Sequence, residues 1–133
     1  MNTAEKREQK ILFVDDEHDI TEFLSYNFKK FGFDVRHAAN GMEGKSVVES
    51  WLPDIIVADI LMPELNGIGF CREIKKNEAT KNIPVVFLSA AQDDFLALNA
   101  MEAGAHHFLS KPIKIDVLHL VVNNILDAKK QAV

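Results

Sequence analysis

Five times along this chain a short strand-like run gives way to a longer stretch with helical spacing. The runs fall at about 10–15, at Val35-His37-Ala39, at 54–59, at Pro84–Ser89 and at His107-Phe108-Leu109. Between them, Asp19 to Phe31 carries Ile20, Phe23, Leu24, Phe28 and Phe31 at helical intervals, with Gly32 as its stop. Asp19 and Glu22 read as a capping pair for that helix. Residues 41–51 place Val47, Val48 and Trp51 on one helical face, and Pro53 ends it. Ile68, Cys71 and Ile74 mark a third helix, introduced by a loop whose Asn66-Gly67 reads as a turn. Asp93 to Ala103, closed by Gly104, forms a fourth, and Ile115 to Ala128 a fifth. A repeated strand–helix order predicts an α/β fold: one parallel sheet with helices on both faces.

A chain of 133 residues with 47% hydrophobic content suits one domain around a single sheet. Its predicted organisation is a polar lead-in over 1–8, a folded domain over 9–128 and a polar tail over 129–133. The net charge of −5 argues against direct binding of nucleic acid by this chain, because phosphate backbones call for a basic surface. No apolar stretch reaches the roughly 20 residues that span a bilayer, and residues 1–10 lack the apolar core of a signal peptide. The single cysteine, Cys71, excludes an internal disulfide, fits a reducing cytoplasm and reads as a small core residue.

Acid residues close two of the apolar runs. Ile11-Leu12-Phe13-Val14 ends in Asp15-Asp16, and Ile55-Ile56-Val57-Ala58 ends in Asp59. Open α/β sheets bind ligands at the carboxyl ends of their strands. Three carboxylates gathered there repel one another unless a cation joins them. The pattern points to a divalent metal beside a carboxylate, and so to phosphoryl chemistry. Ser89 closes the fourth run, and the fifth leads into Lys111.

In these motifs the chain resembles the receiver domains of two-component response regulators. Val14-Asp15-Asp16-Glu17 is similar to the family's acidic pair, and the segment from Asp59 to Gly67 to its phospho-acceptor motif. Leu88-Ser89-Ala90 matches its hydroxyl position, and the segment from Gly104 to Pro112 its aromatic-plus-lysine motif. The resemblance implies a doubly wound, flavodoxin-like (βα)₅ sheet with strand order 2-1-3-4-5. It implies Asp59 as nucleophile toward a phosphohistidine or an acyl phosphate. Asp15, Asp16, Asp59 and the backbone carbonyl of Leu61 would hold Mg²⁺ (or Mn²⁺), and Lys111 would pair with the phosphoryl oxygens. A cis bond before Pro112 is expected by the same likeness. Ser89 and Phe108 would form the switch, relaying phosphorylation to the surface over the fourth helix, fifth strand and fifth helix. The implied partners are a histidine kinase or histidine phosphotransfer protein upstream, and downstream a protein, an effector domain or a second copy of the chain. The implied activity is self-phosphorylation and slow self-dephosphorylation, a signalling switch rather than an enzyme.

Several positions depart from the commonest family pattern. Ser89 stands where threonine is usual, Phe108 where tyrosine is frequent, and His106-His107 where acids are common. Leu61 and Ala91 flank the path of an attacking water and cannot orient it, so slow loss of phosphate is expected. Other readings fit less well. Haloacid-dehalogenase-type phosphatases need a second acid two residues after the nucleophile, where Leu61 stands. Dinucleotide or P-loop binding needs a glycine-rich cradle after a strand, and neither motif occurs. A receiver-fold scaffold that works without phosphorylation is the remaining alternative. Adjacent strand residues His106 and His107 point to opposite faces, which disfavours a shared metal. His18 reads as a surface residue at a helix start and Trp51 as packing.

Overall fold

The computed structural model describes residues 7–62, 65–90 and 94–131. Its elements alternate as expected: β1 (Lys10–Val14), α1 (His18–Lys30), β2 (Asp34–Ala38), α2 (Gly41–Trp51), β3 (Ile55–Asp59), α3 (Gly67–Lys76), β4 (Val85–Ser89), α4 (Asp94–Glu102), β5 (His107–Ser110) and α5 (Ile115–Gln131). All strand pairs are parallel, in the order β2-β1-β3-β4-β5. This is the doubly wound, flavodoxin-like fold read from the sequence.

Alternation along the central strands splits the core in two. Leu12, Val14, Ile56, Ala58, Val85 and Phe87 face Val48 and Trp51 of α2 and Phe70, Cys71 and Ile74 of α3. Ile11, Phe13, Ile55, Val57, Val86 and Leu88 face Leu24 and Phe28 of α1 and Leu118, Val122 and Leu126 of α5. Because both faces are covered, β1, β3 and β4 read as nearly continuous apolar runs. Cys71 is buried, its thiol 3.4 Å from the Ala103 carbonyl, and burial pushes its pKa up to about 11. It is an inert packing residue, as expected.

Local details correct several expectations. α1 is capped at Glu17 without a side-chain bond, so Asp19 lies inside the first turn rather than forming a capping pair with Glu22. Its buried stripe is Thr21, Leu24, Ser25 and Phe28. Phe23 is 50% exposed, and Phe31 stacks flat on His119 at 3.8 Å instead of entering the core. In β2 the buried residue is Ala38, not Ala39 or His37, because Ala38 is the partner of Val14 beneath α2. Asn66-Gly67 is not a free turn: Asn66 caps α3, its side chain accepting the Gly69 N–H at 2.9 Å, and Gly67 is the first helical residue. α2 spans the expected residues, ending at Trp51, and Leu52 between it and Pro53 adopts a left-handed conformation at φ 54°. Helix α5 continues through the polar segment to Gln131. Asp93, the expected start of the fourth helix, lies outside the described residues, as do Pro63 and Ala91.

Trp51 packs as expected, its ring covered by Arg36 at 4.7 Å and Lys10 at 5.6 Å. Gly67 is required by space. A Cβ there would collide with the Asp59 carbonyl oxygen and approach Ile60 Cα to 2.8 Å. Its N–H donates to the Ile60 carbonyl at 2.8 Å, holding the start of α3 against the end of β3.

Candidate acidic site at the carboxyl edge of the sheet

β1 and β3 are neighbours in register, Val14 beside Ala58, so the residues that follow, Asp15 and Asp59, emerge side by side. Both carboxylates are nearly buried, with side-chain exposures of 3% and 8%. β5 delivers Lys111 from the far edge of the sheet, and the Lys111 N–H continues the ladder to the Ser89 carbonyl at 2.8 Å. The Lys111–Pro112 bond is cis, as expected. The lysine crosses the strand ends and places its ammonium among three acids: Asp15 Oδ2 at 3.2 Å, Glu17 Oε1 at 3.1 Å and Asp59 Oδ2 at 3.3 Å.

Glu17 is the residue the sequence reading missed, and Asp16 is the expected ligand that the structure leaves outside the cluster. The oxygens of Asp15, Glu17 and Asp59 all lie within 4.8 Å of one another. Asp16 is exposed and does not belong to that group. The reason is local. Asp15 Oδ1 accepts the Glu17 N–H at 2.9 Å, an Asx turn that folds Glu17 back to the side on which Asp15 lies. Acid at the second position after Asp15 was the available signal, because every second residue of an extended segment shares a side. The Leu61 N–H donates to Asp59 Oδ1 at 3.3 Å, and the Leu61 side chain is 59% exposed.

The electrostatics are those of a site short of positive charge. Burial pushes the Asp15 carboxyl above its ordinary range, against the pull of the Glu17 N–H and of Lys111. Burial does the same to Asp59, helped by repulsion from Asp15 and opposed by Lys111. Burial works to lower the Lys111 ammonium, but Glu17, Asp15 and Asp59 outweigh it and raise it. One ammonium cannot neutralise three carboxylates. The deficit and the all-oxygen donor set fit a hard divalent cation.

Ser89 is fully buried at the end of β4. Register pairs Phe87 with Phe108 and Ser89 with Ser110, so Ser89 and Phe108 lie on the same face of the sheet. Phe108 is half-buried against the core beneath α2 and α3. His106 and His107 are exposed at the opposite end of β5, away from the acids. His18 is exposed beside Glu22, at 3.4 Å.

Comparison with known proteins agrees with this geometry. The family model for the response regulator receiver domain matches residues 11–123. The chain is 34% identical over 118 residues to the alkaline phosphatase synthesis transcriptional regulatory protein PhoP of Bacillus subtilis, covering 89% of this chain and 48% of that protein. It is 32% identical over 124 residues to histidine kinase P4 of Formosa agariphila, covering 93% of this chain and 9% of that protein. The chain thus spans about half the length of PhoP and a small part of the kinase. Among solved structures, a response regulator receiver domain protein from Clostridium thermocellum superposes with a TM-score of 0.86 at 31% identity, covering 94% of this chain and 99% of that one. A CheY-like receiver domain protein from Methanospirillum hungatei shares the fold with a TM-score of 0.90 at 21% identity, covering 95% and 99%. This chain belongs to the response regulator receiver domain family.

Proposed function

We propose that this chain accepts a phosphoryl group on Asp59 from the phosphohistidine of a histidine kinase or histidine phosphotransfer protein. The observation that carries the proposal is the Lys111 ammonium at hydrogen-bond distance from both Asp59 and Asp15 at the open edge of the sheet. An Asp59 carboxylate oxygen bonds to phosphorus as the bond from phosphorus to the donor nitrogen breaks, and the electron pair leaves with the imidazole. Lys111 lies where it can exchange a carboxylate contact for a phosphoryl oxygen. Asp15 and Asp59, with Glu17 or a reoriented Asp16 and the Leu61 carbonyl, would hold Mg²⁺ or Mn²⁺. When bound, that ion supplies the positive charge the three acids lack and offsets phosphoryl repulsion.

Beside Lys111, Asp19, Ile20, Phe23, Pro112 and Ile113 line a hollow of about 290 Å³. Half-exposed Phe23 at its mouth suits docking of the phosphodonor. Buried Ser89 would turn its hydroxyl to the new phosphoryl group and Phe108 would move into the space released, altering the surface of α4, β5 and α5. That surface already presents Phe95, Leu98 and Met101 of α4 and Leu120 of α5 to solvent. It suits an effector domain, a downstream protein or a second copy. The chain acts as a cytoplasmic switch whose only catalysis is its own phosphorylation and slow dephosphorylation.

The test is intact-protein mass after incubation with acetyl phosphate. The reading expects gain of one phosphoryl group that requires Mg²⁺ and is lost in Asp59→Asn. Absence of any gain from both acetyl phosphate and a phosphorylated histidine donor would sink it.

A further inference from the structure

β2 closes one edge of the sheet and pairs on one side, with β1. The Asp34 N–H donates to the Gln9 carbonyl at 2.9 Å, and the Ala38 carbonyl accepts the Asp15 N–H at 3.1 Å. In a parallel pair the residues bonded to the neighbouring strand alternate along the chain. Asp34, Arg36 and Ala38 therefore turn their backbone groups to β1, and Val35 and His37 turn theirs to the open edge. Two N–H donors and two carbonyls stand there in the order a further strand needs. This edge is the one farthest from β5, so it lies outside the surface of α4, β5 and α5.

The flank of the edge is open. On the α1 face, Glu22, Ser25, Tyr26, Lys29, Lys30 and His37 line a hollow of about 680 Å³, which leaves room for the side chains of an added strand. Tyr26 presents an exposed ring to it. Ser25 is buried, and its hydroxyl is the one buried side-chain polar atom without a hydrogen-bond partner among the described residues. The hollow thus borders a group that the chain itself leaves unsatisfied.

Charge selects the occupant. Lys29 and Lys30 are exposed along the hollow, and the Lys30 ammonium lies 5.2 Å from the Tyr26 ring centre. On the other face of β2, exposed Arg36 lies over Trp51. The flanking carboxylates stand at opposite ends, Glu22 beside His18 in the first half of α1 and Asp34 at the start of β2. Edge strands are shielded by charge, and the charge along the middle of this one is positive. A second copy pairing edge to edge about a two-fold axis would set Lys29, Lys30 and Arg36 against their own counterparts. We infer that the open edge of β2 takes up an extended, acidic segment of a partner protein as a sixth strand. None of these residues serves the phosphorylation reading, so the two stand or fall separately.

The test is a ¹⁵N NMR titration of the full chain with a capped peptide of about five residues, alternating glutamate and valine, to match the length of β2. The expected result is saturable shifts of the Val35 and His37 amides, with slower hydrogen exchange at both. His37→Pro removes an N–H that points out of the sheet, so it should abolish binding and leave the spectrum of the other strands in place. Lys29→Glu, an exposed change, should weaken binding about fivefold, and it carries the test alone if the proline variant does not fold. A peptide alternating lysine and valine should not bind. No saturable shift at millimolar peptide overturns the inference. So do shifts without slowed exchange at Val35 and His37, binding that survives in folded His37→Pro, or equal binding of the lysine peptide. Shifts of the same amides on concentrating the chain without peptide would also overturn it, assigning the edge to a second copy.

Discussion

Lys111 Nζ lies 3.3 Å from Asp59 Oδ2, although the two residues end strands separated by β4 and stand far apart in sequence. The contact crosses the sheet edge and also reaches Asp15, so a single ammonium serves two buried carboxylates and exposed Glu17. Such an arrangement favours chemistry over stability.

Neutralising one acid should therefore stabilise the fold. Asp59→Asn is expected to raise unfolding stability in metal-free buffer at pH 7 by about 1 kcal/mol. The sign follows from burial, which raises the folded-state Asp59 above its ordinary value of 3.8. The folded form then holds its proton more tightly than the unfolded form. The associated stability is present below 3.8 and is lost as pH rises through the folded value. The advantage of the asparagine variant should thus shrink as pH falls toward 3.8. Urea denaturation at stepped pH checks this, and added Mg²⁺ should narrow the gap at pH 7.

Asp54 should show the opposite slope. Burial works to raise it, but the Arg7 guanidinium and the Lys10 N–H, at 2.7 Å from Oδ2, outweigh that and hold it below the usual range. Its contribution is present above the unfolded value and is lost as pH falls through the folded one. Asp54→Asn should cost about 1–2 kcal/mol at pH 7, and the difference from the parent should fade in acid. The same denaturation series reads both variants.

Gly67→Ala tests the close approach of α3 to β3. The added methyl meets backbone at Asp59 and Ile60, and neither can yield without moving the site. A loss of about 1–3 kcal/mol is expected, with slower phosphorylation of the folded fraction. Urea midpoints and the rate of mass gain from acetyl phosphate separate the two effects.

Leu61→Asn should shorten the phosphoryl lifetime several-fold. Leu61 is exposed next to Asp59 and offers an attacking water no polar atom on its side chain, whereas a carboxamide can orient that water. Timed decay of the phosphorylated mass after donor removal measures the change. An unchanged lifetime would place the control of hydrolysis elsewhere.

The architecture was legible because its signal is redundant. Ile11–Val14, Ile55–Ala58 and Val85–Leu88 are apolar on both faces, and each is followed by a stretch with helical spacing. Asp15, Asp59, Ser89 and Lys111 were legible as strand-end residues. Glu17 was not, because its role comes from an Asx turn rather than from a strand end. The same turn leaves Asp16 outside the cluster. Phe23 and Phe31 share the apolar spacing of α1, yet the sheet covers only the stripe through Leu24 and Phe28. Asn66 looked like a turn residue because the preferences of turns and helix caps overlap.

The central claim is that Asp59 itself carries the phosphoryl group. Borohydride reduces an aspartyl phosphate to homoserine and leaves free aspartate unchanged. Treating the phosphorylated chain with borohydride and sequencing its peptides by mass spectrometry locates the modified residue. Homoserine at position 59 alone, dependent on Mg²⁺ and donor, is the predicted result. Modification at Asp15 or Asp16, or none at residue 59 in a chain that has gained phosphate, would contradict the account.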